Sequence, residues 1–286
     1  MSGPNGHKTN AMPRPFLKWV GGKRQLLAEI LPRIEAAGSF ERYHEPFIGG
    51  GAVFFGLMRM TRLRKKPWLS DTNPRLIETY SSVREEVEGL IRRLKRHASR
   101  HSKEYFYETR AKEPKNELTR SAQLIYLNKT CFNGLYRENK RGKFNVPFGR
   151  YTNPAICDEE NLRAVSKVLQ QVKLENMSFE KILDRARPGD LVYFDPPYHP
   201  LSSTASFTAY AKNGFGEDGQ HKLASVFSEL DRKSVKVLLS NSDTPFIQTL
   251  YKPRRGFRLT RIMASRQVNS RADRRGKVSE ILVQNF

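Results

Sequence analysis

Cysteine is nearly absent from this 286-residue chain, which carries only Cys131 and Cys157 and no Cys-x-x-Cys spacing. That scarcity excludes a disulfide scaffold and a cysteine-rich zinc site, and it fits a reducing, cytoplasmic setting. Long apolar runs are missing too. The longest mostly apolar stretch, Phe47 to Met58, is broken by Gly49, Gly50 and Gly51 and falls far short of the ~20 residues that cross a bilayer. The N-terminal MSGPNGHKTNAMPRP has no apolar core of the signal-peptide kind, so residues 1–13 read as a flexible polar lead-in. The six histidines show no ligand spacing. No metal is expected, and most of the histidines read as surface residues.

Acid is the third scarcity. There are 29 Asp and Glu against 51 Lys and Arg, a net charge of +22 with pI near 10.1. Such self-repulsion points to a polyanionic partner, although a generally solvated surface is also open. The distribution favours the partner: Lys252 to Lys277 holds ten basic residues and one acid, and Arg75 to Arg150 holds 18 basic and nine acidic. Nucleic acid is therefore expected. The length, 38% apolar residues and mean hydropathy of −0.64 suit a soluble chain, expected as a monomer, with one large domain carrying an insertion.

Along the chain, Leu26, Leu27, Ile30, Leu31 and Ile34 share one helical face. A strand at Tyr43–Pro46 runs into a glycine turn and a helix, and a strand at Trp68–Asp71 precedes a helix from Pro74. This order opens a nucleotide-binding α/β sheet. Residues 76 to 128 then read as almost wholly helical, and the Asn-, Gly- and aromatic-rich stretch after them as an irregular hairpin around Asn139–Gly142. A helix over 159–170 and strands near Val172–Leu174, Leu191–Phe194, Val235–Leu239 and Val278–Val283 restore the α/β rhythm. The expected architecture is one sheet domain (1–75 and 158–286) interrupted by a module at 76–157.

Glu45-Pro46-Phe47-Ile48-Gly49-Gly50-Gly51 lies where the first strand meets its helix, and glycines there allow close backbone approach to a ligand. A tight turn with no ligand has the same sequence. Asp71 ends the next strand, where an acid commonly grips ribose hydroxyls, or simply caps the following helix. Gly21-Gly22-Lys23 is not a P-loop, since Leu17 and Arg24 stand where Gly and Ser or Thr belong. The strongest motif is Asp195-Pro196-Pro197-Tyr198. Two prolines force the chain off the sheet at its C-terminal edge. They group a carboxylate, a carbonyl and an aromatic ring, a set suited to a flipped nucleobase bearing an exocyclic amine.

LKWVGGK, EPFIGGG, SDTNPRLI, FNGLYRENKRGKFNVPFGRY, VYFDPPY and RGKVSEILV stand in the order found in Dam-type (alpha-class, D12) DNA adenine-N6 methyltransferases. Over residues 14–286 the chain resembles a full-length member. The resemblance implies a Rossmann-like sheet binding S-adenosyl-L-methionine, an inserted, mostly helical module that reads double-stranded DNA, and GATC as the leading site. It implies cofactor contacts at Trp19, Lys23, Glu45, Phe47, Gly49, Gly51, Asp71, Phe179 and Asp195. Ser178 stands where the family often has an acid. Asp195 and the Pro196 carbonyl would take the amine, in a turn made rigid by Pro197, while Tyr198 stacks on the base. Lys18, Leu135, Arg137, Asn139 and Pro147 match base-reading or hairpin positions, and Phe132 and Asn133 match positions in the disturbed duplex.

Several rivals are weighed against this. Cytosine-C5 methylation needs a nucleophilic cysteine, for which neither Cys131 nor Cys157 is placed. N4-cytosine methylation would favour SPPY in place of DPPY. Protein-glutamine and RNA methylation share an acid- or Asn-Pro-Pro turn but do not call for the basic insertion. A catalytically silent DNA-binding regulator would not need the intact glycine turn and DPPY.

Overall fold

A computed structural model describes residues 12–19, 21–60, 63–139, 141–200, 215–252, 256–265 and 277–286. Most of the expected lead-in and of the basic block from Lys252 to Lys277 therefore lies outside the described residues. The chain forms two compact units. The first comprises 1–22, 49–60 and 73–172; the second comprises 23–48, 61–72 and 173–286.

The second unit holds the sheet. Its strands are β1 (Tyr43–Glu45), β2 (Trp68–Asp71), β3 (Lys173–Asn176), β4 (Leu191–Phe194), β5 (Lys236–Ser242), β6 (Arg258–Ser265) and β7 (Lys277–Gln284), in the order β3-β2-β1-β4-β5-β7-β6. All run parallel except β7, which is antiparallel to both β5 and β6. The order reverses between β1 and β4, the switch point at which open α/β sheets bind ligands. This is the expected Rossmann-like sheet, with β6 as an addition: its residues fall in the basic block, where charge masks the strand pattern. The helices of this unit are α1 (Leu27–Ala36), α8 (Ile182–Arg185), α9 (Glu217–Arg232) and α10 (Pro245–Leu250). Leu223, Phe227 and Leu230 of α9 meet Val192, Phe194, Val237 and Leu239 in one apolar core. Parallel strands covered in this way read as continuous apolar runs, as LVYF does.

The first unit is helical: α2 (Ala52–Met60), α3 (Pro74–Glu85), α4 (Val87–Ser99), α5 (Lys103–Ala111), α6 (Glu117–Thr130) and α7 (Glu159–Leu169). Asn73 caps α3, its side-chain oxygen accepting from the Arg75 and Leu76 amides at 3.0 and 3.2 Å. That removes the capping alternative for Asp71. Within the unit α6 is central, buried on all sides from Ser121 to Asn128. The hairpin that follows is held by two isolated bridges, Cys131 to Phe148 and Glu138 to Phe144.

The histidines correct the sequence reading. Of the five described, only His221 is exposed. His44 is fully buried, its Nε2 2.9 Å from Asp190. His97 stacks on Tyr126 with centroids 4.7 Å apart and bonds the Tyr105 hydroxyl at 2.9 Å. A neutral imidazole can be buried in this way, which a hydropathy reading cannot anticipate. Burial, reinforced by Arg96, Lys112 and Arg100, lowers His97 to about 4. It is neutral in the fold and takes a proton in the unfolded chain below about pH 6.5, so stability is lost as pH falls from about 6.5 towards 4. Denaturant midpoints measured across that window should fall for the wild type and fall less steeply for His97→Gln. Equal slopes would contradict this.

Candidate active site

Three adjacent parallel strands deliver carboxylates to one edge of the sheet. Glu45 ends β1, Asp71 ends β2, and Asp195 directly follows β4. Glu45 is buried and accepts from the Tyr43 hydroxyl at 2.7 Å. The ammonium of Lys23, only 5% exposed, lies 2.7 Å from Oδ1 of Asp195, which is 21% exposed. The same ammonium sits 4.4 Å from the centroid of the Tyr198 ring. Ser240 donates to Asp195 Oδ1 at 3.1 Å. Burial pushes the Asp195 carboxyl above its ordinary value, with Lys23 and Ser240 pulling against it.

The prolines leave the sheet as the sequence requires. Pro196 is buried and Pro197 exposed. The Pro197 carbonyl accepts from Gln220 Nε2 at 2.8 Å, and Gln220 accepts in turn from Asn241 Nδ2 at 2.9 Å. The Tyr198 hydroxyl donates to Glu280 of β7 at 2.7 Å. Phe47 and Phe179 stack with centroids 5.4 Å apart. Ser178 is exposed, and its hydroxyl turns to Glu180.

The remaining candidate residues belong to the first unit. Gly49 and Gly51 have φ of +46° and +70°, and a Cβ on either would come within 2.8 Å of Trp19 or Tyr80 respectively. The turn's own packing therefore requires these glycines, whatever else they admit. The Trp19 ring also stacks on Tyr136 with centroids 5.2 Å apart. Lys18 is joined to the hairpin through Asn128, which accepts from the Lys18 amide at 2.8 Å and donates to the Lys18 and Gly134 carbonyls. Gly134, at φ +61°, leaves no room for a Cβ beside Lys18. Phe132 is 43% exposed, and Asn133 takes a left-handed φ of 54°. The Phe132 amide donates to the Pro147 carbonyl at 2.9 Å, Leu135 is half-buried, and Asn139 Oδ1 closes the turn on the Arg141 and Lys143 amides. Arg137 donates from Nε and Nη2 to Asn145 at 2.6 and 3.1 Å.

Four residues that support the DPPY turn escape the sequence reading: Gln220, Ser240, Asn241 and Glu280. Only the polar Ser-Asn-Ser at the end of an apolar strand signals two of them. Burial raises the thiols of Cys131 and Cys157 to about 11, which leaves neither a ready nucleophile. Among the described residues no group of three or more His, Cys, Asp or Glu could hold a metal ion, and no helix is long and apolar enough to cross a membrane.

An acid-bearing, proline-rigid turn beside the switch point of a parallel sheet, with a basic helical unit in the same chain, defines an enzyme class that acts on nucleic acid. Residues 19–268 match the D12 class N6 adenine-specific DNA methyltransferase family, and the chain belongs to that family. It is 42% identical to the type II methyltransferase M.MjaIII of Methanocaldococcus jannaschii, over 96% of this chain and 99% of that protein. It is 41% identical to the type II methyltransferase M1.LlaDCHI of Lactococcus lactis subsp. cremoris, over 96% and 95%. It is 34% identical to the DNA adenine methylase of Escherichia coli K12, over 94% of each.

Replacing Lys23 tests the electrostatics of the turn. Lys23→Met leaves Asp195 without its cation, so the Asp195 carboxyl should titrate at higher pH than in the wild type. The stability cost is about 1–3 kcal/mol, below that of a fully buried pair because Asp195 is partly exposed. An unmoved Asp195 titration, followed by carboxyl NMR, would contradict the pairing.

Proposed function

We propose that this adenine-specific DNA methyltransferase uses S-adenosyl-L-methionine and acts on an adenine turned out of duplex DNA at GATC, with Asp195 as the acceptor for the target amine. The observation that carries this reading is the carboxylate of Asp195, held on Oδ1 by Lys23 and Ser240 at the C-terminal end of β4. The donor set fits the cofactor. Three carboxylates at one edge of the sheet, in a chain of net charge +22, suit a ligand with a sulfonium, an ammonium and ribose hydroxyls and repel a polyphosphate. Asp71 is assigned to the ribose, Phe47 and Phe179 to the adenine of the cofactor, and Asp195, besides the target amine, to the neighbourhood of its methionine end, with Lys23 a further cofactor contact. The family resemblance adds Glu45, Trp19, Gly49, Gly51 and Ser178. When bound, the cofactor supplies an electrophilic methyl group.

The chain's own residues do the rest. The N6 lone pair of adenine is delocalised into the ring. Hydrogen bonds from the amine to the Asp195 carboxylate and the Pro196 carbonyl favour a tetrahedral nitrogen with a localised pair. Tyr198 stacks on the base, and Pro197 keeps the turn rigid. Catalysis is positioning and electrostatics, with no covalent bond to the enzyme. Turning the base out costs a few kcal/mol, recovered in stacking and phosphate contacts.

Recognition is assigned to the module at 76–157 together with Lys18. Arg137 spends two of its five N–H donors on Asn145, which orients the remaining donors for the O6 and N7 of a guanine. Lys18, Leu135 and Pro147 are assigned to bases, Phe132 and Asn133 to the disturbed duplex, and Asn139 to the turn that presents them.

Methylation rates on GATC and on each single-base variant test both halves of the reading. Asp195→Ala should lose methyl transfer by several orders of magnitude on every duplex. Arg137→Ala should cost about 1–3 kcal/mol on GATC and much less on one particular variant. Near-wild-type turnover by Asp195→Ala would sink the chemistry, and uniform slowing by Arg137→Ala would make that residue a phosphate or structural contact.

A further inference from the structure

Strand β4, which Asp195 directly follows, and its neighbour β5 each carry a buried hydroxyl, Tyr193 and Ser240. β4 and β5 run parallel, with Tyr193 opposite Leu238 and Phe194 opposite Leu239. The next step along each strand brings Asp195 beside Ser240. Tyr193 and Ser240 are fully buried, on the face of the sheet opposite the apolar cluster that takes Val192, Phe194, Val237 and Leu239. Buried hydroxyls are costly unless bonded, and these two are bonded to each other at 2.9 Å.

The direction of the chain of bonds follows from the inventory of protons. A carboxylate only accepts, so the one proton of Ser240 goes to Asp195 Oδ1 at 3.1 Å, in preference to the more distant Phe194 carbonyl at 3.5 Å and to the neighbouring Tyr198 hydroxyl, whose own proton goes to Glu280. Ser240 Oγ is then the acceptor for the Tyr193 hydroxyl. Burial, and the charge of Asp195 after it, holds Tyr193 far above its ordinary pKa, so it remains a protonated donor. Lys23 reaches the same oxygen, Oδ1, at 2.7 Å. Among the described residues both donors to this carboxylate therefore converge on Oδ1.

We propose that Ser240, itself held by the Tyr193 hydroxyl, is a positioning residue that fixes the rotation of the Asp195 carboxylate and presents Oδ2 to the target amine. This rests on the reading of Asp195 as the amine's acceptor. The Pro-Pro turn fixes the backbone of Asp195 but leaves the carboxylate free to rotate about its side-chain torsions, and the relay removes that freedom. A reacting group misplaced by a fraction of its hydrogen-bond length loses rate without losing affinity.

The test compares Ser240→Ala, Ser240→Thr, Tyr193→Phe, the double variant Ser240→Ala/Tyr193→Phe and Asp195→Ala. Each is assayed for methyl transfer to a GATC duplex across pH, with folding followed by circular dichroism. Ser240→Ala should lower kcat by about 10- to 100-fold while KM for DNA and for S-adenosylmethionine stays within about 3-fold. Its acid limb should move to higher pH, because the lost bond is one that lowers Asp195. Ser240→Thr, which keeps the hydroxyl, should return the limb towards wild type. Tyr193→Phe should shift it the same way by less, and the double variant should be no slower than Ser240→Ala alone. A folded Ser240→Ala with an unmoved acid limb overturns the relay, as does one with wild-type kcat. If Ser240→Ala does not fold, Tyr193→Phe decides on the same readouts. Loss of activity in Asp195→Ala beside an unaffected Ser240→Ala overturns the positioning role alone. Wild-type turnover by Asp195→Ala overturns the reading on which it rests.

Discussion

The concentration of negative charge at one edge of a parallel sheet, in a chain that is otherwise strongly positive, is the constraint on which the rest depends. Parallel β1, β2 and β4 end on the same side, so Glu45, Asp71 and Asp195 are brought there by topology. Like charges at neighbouring strand ends repel unless something offsets them. The offset is local and specific. Lys23 and Ser240 meet Asp195, and the Tyr43 hydroxyl meets Glu45. Beneath Asp195 the apolar cluster of α9 with β4 and β5 holds the strand that it follows.

The helical unit follows a different rule. Its hairpin is tied across by backbone bonds from Gly149 to Thr130, Phe132 to Pro147, Asn145 to Arg137 and Asn139 to Lys143, and side chains fix the rest of its backbone. Asn128, fully buried, joins the Lys18 backbone to Gly134. Asn139 closes the tip, and Arg137 braces one strand against Asn145. A hairpin built this way leaves Phe132 and Pro147 exposed, where a partner can reach them. Loops carried on a rigid helical base are a common solution to recognition.

Much of this was legible in the chain. The continuous β-prone run LVYF followed by two prolines marks both the strand and its exit, because a short apolar run ending in prolines fits a buried parallel strand that cannot be continued. Trp68–Asp71 and the helix from Pro74 are legible for similar local reasons. Long-range pairing is not. The sequence does not reveal that Lys23 meets Asp195, or that Tyr198 meets Glu280, since each pair is brought together by the tertiary fold rather than by spacing. The glycine turn illustrates the same limit. Its glycines suggest a ligand, whereas Trp19 and Tyr80 already fill the space their side chains would need. The histidines fail for a third reason, since a neutral buried imidazole has the composition of a surface one.

The most direct test of the account is titration calorimetry of the full chain with S-adenosylmethionine and, separately, with ATP. ATP keeps the adenosine and replaces the cationic tail with phosphates. If the carboxylate edge of the sheet selects the ligand, S-adenosylmethionine gives a saturable heat in the micromolar range, and ATP gives none at the same concentrations. Equal or tighter binding of ATP would contradict the account, because those three acids would then not be what the cofactor meets.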